Sequence, residues 1–124
     1  MIGYTTIGTN NLDAAVKFYD ELFTINGAVR MMDLGRGFMW GVSPAKPGFA
    51  VMQPFDGAPA TVGNGVMISL VLDSSAKVDA MHAKALELGG TDEGPAGKRG
   101  DSGFYGGYFR DLDGNKLAVF CMVK

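Results

Sequence analysis

The chain has one cysteine, one histidine and one tryptophan, and no large surplus of either charge. Cys121 has no partner for an internal disulfide and sits in an apolar run, which points to a buried, inert thiol. The 11 basic and 13 acidic residues are spread along the sequence and leave a formal charge of -2. That balance gives neither the basic footprint of a nucleic-acid binder nor a polybasic patch for a membrane surface. No apolar run approaches the roughly 20 residues that cross a bilayer, and the first residues lack the charged and apolar regions of a secretion signal. A cytoplasmic protein without nucleic-acid or membrane partners is therefore expected. At 124 residues the chain is the size of one domain that buries its core without metal or disulfide staples.

Glycine is what the sequence has in excess, 19 residues without a collagen period, and it marks frequent turns and close backbone approaches. Between the glycines, Ile2 to Thr9 alternates like a strand. Asn11 then offers a cap for a helix from Leu12 to about Phe23, with Leu12, Ala15, Val16, Tyr19 and Phe23 on one apolar stripe. Ala28 to Leu34, Gly37 to Val42 and Phe49 to Gln53 read as a meander, and Pro54 to Gly65 reads as a connection. Val66 to Leu72 is expected to be a buried strand. Ser74-Ser75 opens a second helix through Leu88, with Val78, Met81, Ala85 and Leu88 facing the core and Gly89-Gly90 closing it. A glycine-rich loop, Gly94 to Gly103, precedes strands at Phe104 to Arg110 and Lys116 to Val123.

The halves repeat. Tyr4 and Met67 lie 63 residues apart, as do Leu12 and Ser75, while Gly37 with Phe104 and Gly48 with Lys116 lie 67 and 68 apart. This spacing predicts an α+β fold of two β-α-β-β-β modules, residues 1–54 and 65–124 joined by 55–64, within one domain over 1–124. Two such modules, each a curved and mostly antiparallel sheet backed by a helix, would enclose an apolar concavity.

Two stretches carry a family resemblance: "FYDELF" at the end of the first helix (Phe18 to Phe23) and "YFRDLDGNKL" from Tyr108 to Leu117. In the second, Asp113-Gly114 is a strong hairpin signal. A calcium loop is excluded there, since such a loop needs glycine at Lys116 and glutamate at Met122. With the duplicated layout, these stretches make the whole chain resemble the vicinal oxygen chelate superfamily, the glyoxalase, bleomycin-resistance and extradiol-dioxygenase group. Leu112 stands where that family usually has proline.

The resemblance implies a homodimer, and a divalent metal held by two histidines and a glutamate. By position these fall on Tyr4, Met67 and Ala118. A phenol that ionises near pH 10, a thioether and a methyl group do not form such a ligand set. No metal or other cofactor is expected, and the acidic hairpin is read as the part of the motif that outlived the metal site.

The candidate ligand-binding residues are Tyr4, Trp40, Met52, Met67, Ser69, Phe104, Tyr108 and Arg110. Tyr108 and Arg110 share one strand face, and Tyr108 matches a pocket tyrosine of fosfomycin-resistance relatives by the same resemblance. Arg110 is placed to pair with Asp111 or Asp113. Trp40, Met39, Met52 and Met67 would give an adaptable apolar wall. The Gly94 to Gly103 loop, with Lys98, Arg99 and Asp101, would act as a lid; its Arg-Gly-Asp run is not read as an adhesion signal. Gly63-Asn64-Gly65 lacks the lysine and helix of a phosphate loop. His82 reads as a capping or surface group on the second helix.

The leading expectation is metal-free sequestration of a small, partly apolar molecule. The alternatives are a lyase, isomerase or dioxygenase-type enzyme with Tyr4 or Tyr108 as acid or base or with an unrecognised metal site, and a ligand-free structural dimer whose cavity is filled by Trp40, Phe104 and the methionines.

Overall fold

The computed structural model describes residues 1–123, and each half of it builds one sheet. In the first half β1 (Tyr4–Gly8), α1 (Leu12–Leu22), a 3-10 turn (Phe23–Ile25), β2 (Val29–Asp33), β3 (Gly37–Gly41) and β4 (Gly48–Met52) follow in order. The second half gives β5 (Ile68–Val71), α2 (Ser75–Glu87), β6 (Thr91–Lys98), β7 (Phe104–Arg110) and β8 (Lys116–Met122). The sheet orders correspond, β1-β4-β3-β2 and β5-β8-β7-β6, with the first and last strand of each module parallel and the other neighbours antiparallel. The repeat spacing holds at the element starts: Leu12 and Ser75 begin the helices, Gly37 and Phe104 the third strands, Gly48 and Lys116 the fourth. Among the described residues no helix is long and apolar enough to cross a membrane.

Local chemistry explains the helix bounds. The Asn11 side chain accepts from the Ala14 N–H and the Ser74 hydroxyl from the Lys77 N–H, satisfying donors that a first helical turn leaves free. Gly89, at φ +103, carries the chain out of α2 in a conformation that side chains resist. The buried face of α1 is Ala15, Phe18, Tyr19 and Leu22, so Phe18 and Leu22 join the expected stripe while Leu12 and Val16 sit at its margin. Phe18, Tyr19 and Phe23 of the following turn form an aromatic cluster with Trp40 and Phe49 from the sheet, ring centroids 4.9 to 6.3 Å apart. The equivalent face of α2, Val78, Met81, His82 and Ala85, packs on Phe109, Leu117, Val119 and Cys121 in the same continuous core. Cys121 is buried there, as expected of an apolar thiol.

Three expectations need correction. The segment from Val66 is not a buried strand. β5 is an edge strand whose residues alternate between half-buried and exposed, because only its Ile68 and Leu70 face packs against the core. The glycine-rich stretch from Gly94 is not a lid. Gly94 to Lys98 belong to β6, which pairs with β7 through two register shifts, and only the residues after Lys98 form a loop. Glycine counts there signalled a bulged edge strand rather than a loop. His82 is neither surface nor cap, being 6% exposed on the core side of α2.

The acidic hairpin between β7 and β8 is the joint between the halves. Asp111 is buried, and its carboxylate accepts from the Tyr19 hydroxyl at 2.6 Å, the Asp113 and Asn115 N–H groups at 2.9 Å and the Asn115 side-chain amide at 3.0 Å. Asn115 also donates to the Gly8 carbonyl at 2.9 Å, and Asp113 accepts from the Asn10 N–H at 2.9 Å. Gly114 supplies the positive φ, +88, that closes the turn.

Burial first, then the charge of Asp111, raises the Tyr19 phenol well above its ordinary value. An unfolded tyrosine ionises near pH 10, so the stability this bond lends is complete below that pH and drains away as pH rises beyond it. Tyr19→Phe is expected to cost about 1–3 kcal/mol in urea unfolding at pH 7. The gap between the two proteins should narrow above about pH 10; a gap constant with pH would remove the Tyr19–Asp111 bond as its origin.

Candidate functional site

Side chains alternate across each strand, so every sheet has one face against its helix and one face free of it. Register places Tyr4, Thr6, Met32, Met39 and Met52 on the free face of the first sheet. The floor between them is made of small residues. A Cβ on Gly48 would lie 2.4 Å from the Met39 sulfur, so the methionine lies across the strand only because that position is bare. The connection after β4 forms the far wall with Pro54, Phe55 and Thr61, enclosing a hollow of about 940 Å³. Phe55 is 87% exposed, and the Arg36 guanidinium lies over its ring at 5.0 Å. The hollow is therefore largely apolar in its walls, with the Arg36 cation stacked at its rim and Gln53 and Asp56 as further polar lining.

The free face of the second sheet holds Ser69, Phe104, Tyr108, Arg110, Lys116, Ala118 and Phe120. Phe104 and Phe120 stack with centroids 5.2 Å apart. The Tyr108 ring has the Arg99 guanidinium at 5.7 Å and the Lys116 ammonium at 5.6 Å. Arg110 pairs with Glu93 at 2.5 Å and donates to the Gly114 carbonyl at 2.9 Å, instead of meeting Asp111 or Asp113. Those two acids are spoken for by the hairpin and by the first module, which explains the change of partner.

Tyr4 and Met52 thus line the hollow of the first module, whereas Phe104, Tyr108 and Arg110 lie on the second sheet. Met67 and Ser69 border a separate groove between the modules. Trp40 sits on the helix-facing side of β3, fully buried, with its indole N–H donating to Asp20 at 2.9 Å; it forms the groove's floor and no part of the hollow's wall. One residue of register decides this, since Met39 and Trp40 point to opposite faces. The positions Tyr4, Met67 and Ala118 do not share a cavity in this chain. Ala118 is 1% exposed, between Ser69 and Tyr108 on its neighbouring strands.

Wall residues that sequence reasoning missed are Thr6, Met32, Arg36 and Phe55 of the hollow, and Arg99 and Lys116 beside Tyr108. Thr6 had a readable signal, its alternation with Tyr4; Phe55 did not, because a residue in a connection has no periodicity.

The model of the Glyoxalase/Bleomycin resistance protein/Dioxygenase superfamily matches residues 1–119. The chain belongs to that superfamily. Among solved structures, a glyoxalase/bleomycin resistance protein from Albidiferax ferrireducens is 34% identical, with 98% of each chain covered and a TM-score of 0.87. A lactoylglutathione lyase from Agrobacterium tumefaciens is 24% identical over 98% of this chain and 92% of its own, with a TM-score of 0.70. A genomically encoded fosfomycin resistance protein from Listeria monocytogenes is 16% identical over the same shares, with a TM-score of 0.72, and supports the fold alone. No curated sequence matches the chain.

A metal of the kind this superfamily implies does not fit the residues present. Among the described residues no three His, Cys, Asp or Glu side chains gather as a metal would require. The lone histidine has other work. His82 Nε2 faces two acceptors, Asp92 Oδ1 at 3.1 Å and the Tyr108 carbonyl at 3.2 Å, so this nitrogen carries the proton and ties α2 to β6 and β7. The Gly94 N–H foremost, and His82 after it, hold the Asp92 carboxyl below its ordinary value. That stabilisation is present above the ordinary carboxylate range and is lost as pH falls through the lowered value. Asp92→Asn is expected to lower the thermal midpoint at pH 7, with the difference from wild type closing as the solution is acidified through the carboxylate range; a difference that persists would point to a cause other than this charge.

Proposed function

We propose that the protein is a homodimeric binding protein that sequesters a small, partly apolar molecule in the hollow over the first sheet, without a metal ion. The observation that carries this reading is the wall itself: Met32, Met39 and Met52 present adaptable apolar surface around Tyr4, the one expected chelating position that this hollow contains. A hollow of about 940 Å³ is at the upper end of the range in which small molecules are held.

Dimerisation supports the same reading. The free faces leave Tyr4, Met32, Val71 and Met122 at 50 to 70% exposure, more apolar surface than two sheets normally leave to water. A partner that laid its second sheet over the first would cover the hollow and bring Tyr108 of one protomer toward Tyr4 of the other. The 34% identical relative is itself described as a glyoxalase/bleomycin resistance protein.

A second reading, a lyase or isomerase, is favoured by one feature. Tyr108 has the Arg99 and Lys116 cations over its ring, which would hold it in place as an acid or base beside a bound substrate.

Light scattering is expected to give twice the mass of one chain, and calorimetry with nickel, zinc or manganese to give no tight stoichiometric binding. Tight binding of one ion per chain would overturn the metal-free reading. The triple variant Tyr4→His, Met67→His, Ala118→Glu is expected to acquire such binding in the dimer, and a triple variant that folds and dimerises without binding metal would sink the positional argument. Turnover of a glyoxalase or epimerase substrate that Tyr108→Phe lowers by about 100-fold or more would favour catalysis over sequestration.

A further inference from the structure

The free face of the second sheet carries more positive charge than its acids offset. Arg110 and Lys116 are register partners on β7 and β8 and point the same way, and like charges placed directly opposite each other repel. Glu93 neutralises Arg110 alone. Arg99, from the loop after β6, stands with Lys116 beside the Tyr108 ring, 5.7 and 5.6 Å from its centre, and neither forms an ion pair among the described residues. The other acids of these strands and their hairpin are committed elsewhere: Asp111 to Tyr19, Asp113 to Asn10 and Asp92 to His82. The chain as a whole has a charge of -2, so this excess is local and not a matter of composition. Residues 62–67 add a recess of about 500 Å³ beside Arg110 and Lys116, and no acid lines it.

The cluster is held in place. A Cβ on Gly94 would lie 3.0 Å from the Tyr108 ring and 3.4 Å from the Arg99 guanidinium, and one on Gly97 would lie 3.4 Å from the same guanidinium. Arg99 therefore rests along a stretch of β6 kept bare by two glycines, where it also donates to the Pro95 carbonyl. Arg99, Tyr108, Arg110 and Lys116 are all half-buried, so water screens their repulsion less than at an open surface. The Tyr108 ring positions two of the cations but brings no net negative charge to them.

We infer that the molecule sequestered in the hollow is an oxyanion with an apolar body. Its charged group meets Arg99, Lys116 and the Tyr108 hydroxyl of one protomer, while its apolar part lies on Met32, Met39 and Met52 of the other. This specificity rests on the sequestration reading and on the dimer that lays one protomer's second sheet over the other's first. Guanidinium and ammonium N–H groups bond an ionised oxygen more strongly than a neutral one, and half-burial raises the worth of each bond. A neutral ligand would leave the repulsion of the cluster in place, and a cation would add to it.

Naphthalene-2-sulfonate and naphthalene-2-sulfonamide share ring and shape and differ in charge, so calorimetry at pH 7 with both reads the preference directly. The sulfonate is expected to bind about 10-fold more tightly, and its advantage to shrink as sodium chloride rises to about 0.5 M. Arg99→Gln and Lys116→Gln should each weaken the sulfonate by about 3-fold, and together remove the preference, with the sulfonamide unchanged. Lys116→Arg, which keeps the charge, should retain it. Sulfonate that does not bind, equal affinities for the two probes, a preference that survives the folded double variant, or one indifferent to salt overturns the oxyanion assignment and leaves sequestration of a neutral molecule standing. The wild-type comparison and its salt dependence decide the matter if the double variant fails to fold. Thr6→Phe, which narrows the hollow, should weaken both probes alike. A sulfonate preference that needs Arg99 and Lys116 while Thr6→Phe leaves both probes unaffected overturns the hollow as the place of the apolar part, and with it the sequestration reading, but keeps the cation contacts.

Discussion

The bond between the Tyr19 hydroxyl and the buried Asp111 carboxylate is the constraint on which the arrangement of the halves depends. A carboxylate removed from water is costly unless its oxygens are satisfied. Here four donors satisfy it, and they come from both modules: the phenol from α1, the others from the hairpin. The hairpin is thereby rigid and docked at once. Asn115 extends the joint to the Gly8 carbonyl and Asp113 to the Asn10 N–H, so the end of β1 and the start of α1 are held against the second sheet. This is why two acids, a glycine and an asparagine recur in one turn. Gly114 shapes it and the rest of the turn fastens it to the first module.

Fixing the halves in this way decides which faces remain available. The helices touch each other across the centre, with Lys84 of α2 3.9 Å from Glu21 of α1, and the helix-facing sides of both sheets share one core. The opposite faces are consequently left without cover from either helix. Along β3 the sequence distributes its residues accordingly: Phe38 and Trp40 go to the helix side with aromatic partners, while Gly37, Met39 and Gly41 go to the free side. Alternation of large rigid groups with small or flexible ones is what makes one face of the sheet a core and the other a hollow.

The repeat, the helix caps and the hairpin were legible in the sequence because each has a local physical cause. Asn11 and Ser74 cap helices through side-chain oxygens three residues from their targets, and Asp113-Gly114 turns the chain through one positive φ. What remained illegible depends on contacts distant in sequence. The partner of Asp111 lies 92 residues away and nothing near the hairpin names it. β6 was hidden because Gly94 and Gly97 break the alternation that marks a strand, and it exists by pairing with β7. His82 looked peripheral because a histidine beside Met81 fits the helix pattern either way, and only Asp92 and the Tyr108 carbonyl make its burial tolerable. For the candidate site, Tyr4 and Met52 were legible by alternation, whereas Trp40 was assigned to the wrong side of its strand: an aromatic signals burial without saying under which layer.

Ala118 shows how a chelating position becomes a packing position. Its neighbours across the strands are Ser69 and Tyr108, and at 1% exposure a carboxylate there would need a cation or several donors to be tolerated. In a metal-holding relative of this superfamily the ion would be that cation. Here Tyr108 has Lys116 and Arg99 over its ring. The methyl group at Ala118 asks for no compensation, and positive charge on this face is balanced by aromatic surface and by Glu93 on Arg110. The position of Ala118 itself therefore needs no cation to be tolerated in the scaffold. The fold rests on the aromatic core and the Asp111 joint, both on the far side of the sheets from the free faces, which leaves those faces open to chemical change without cost to the architecture.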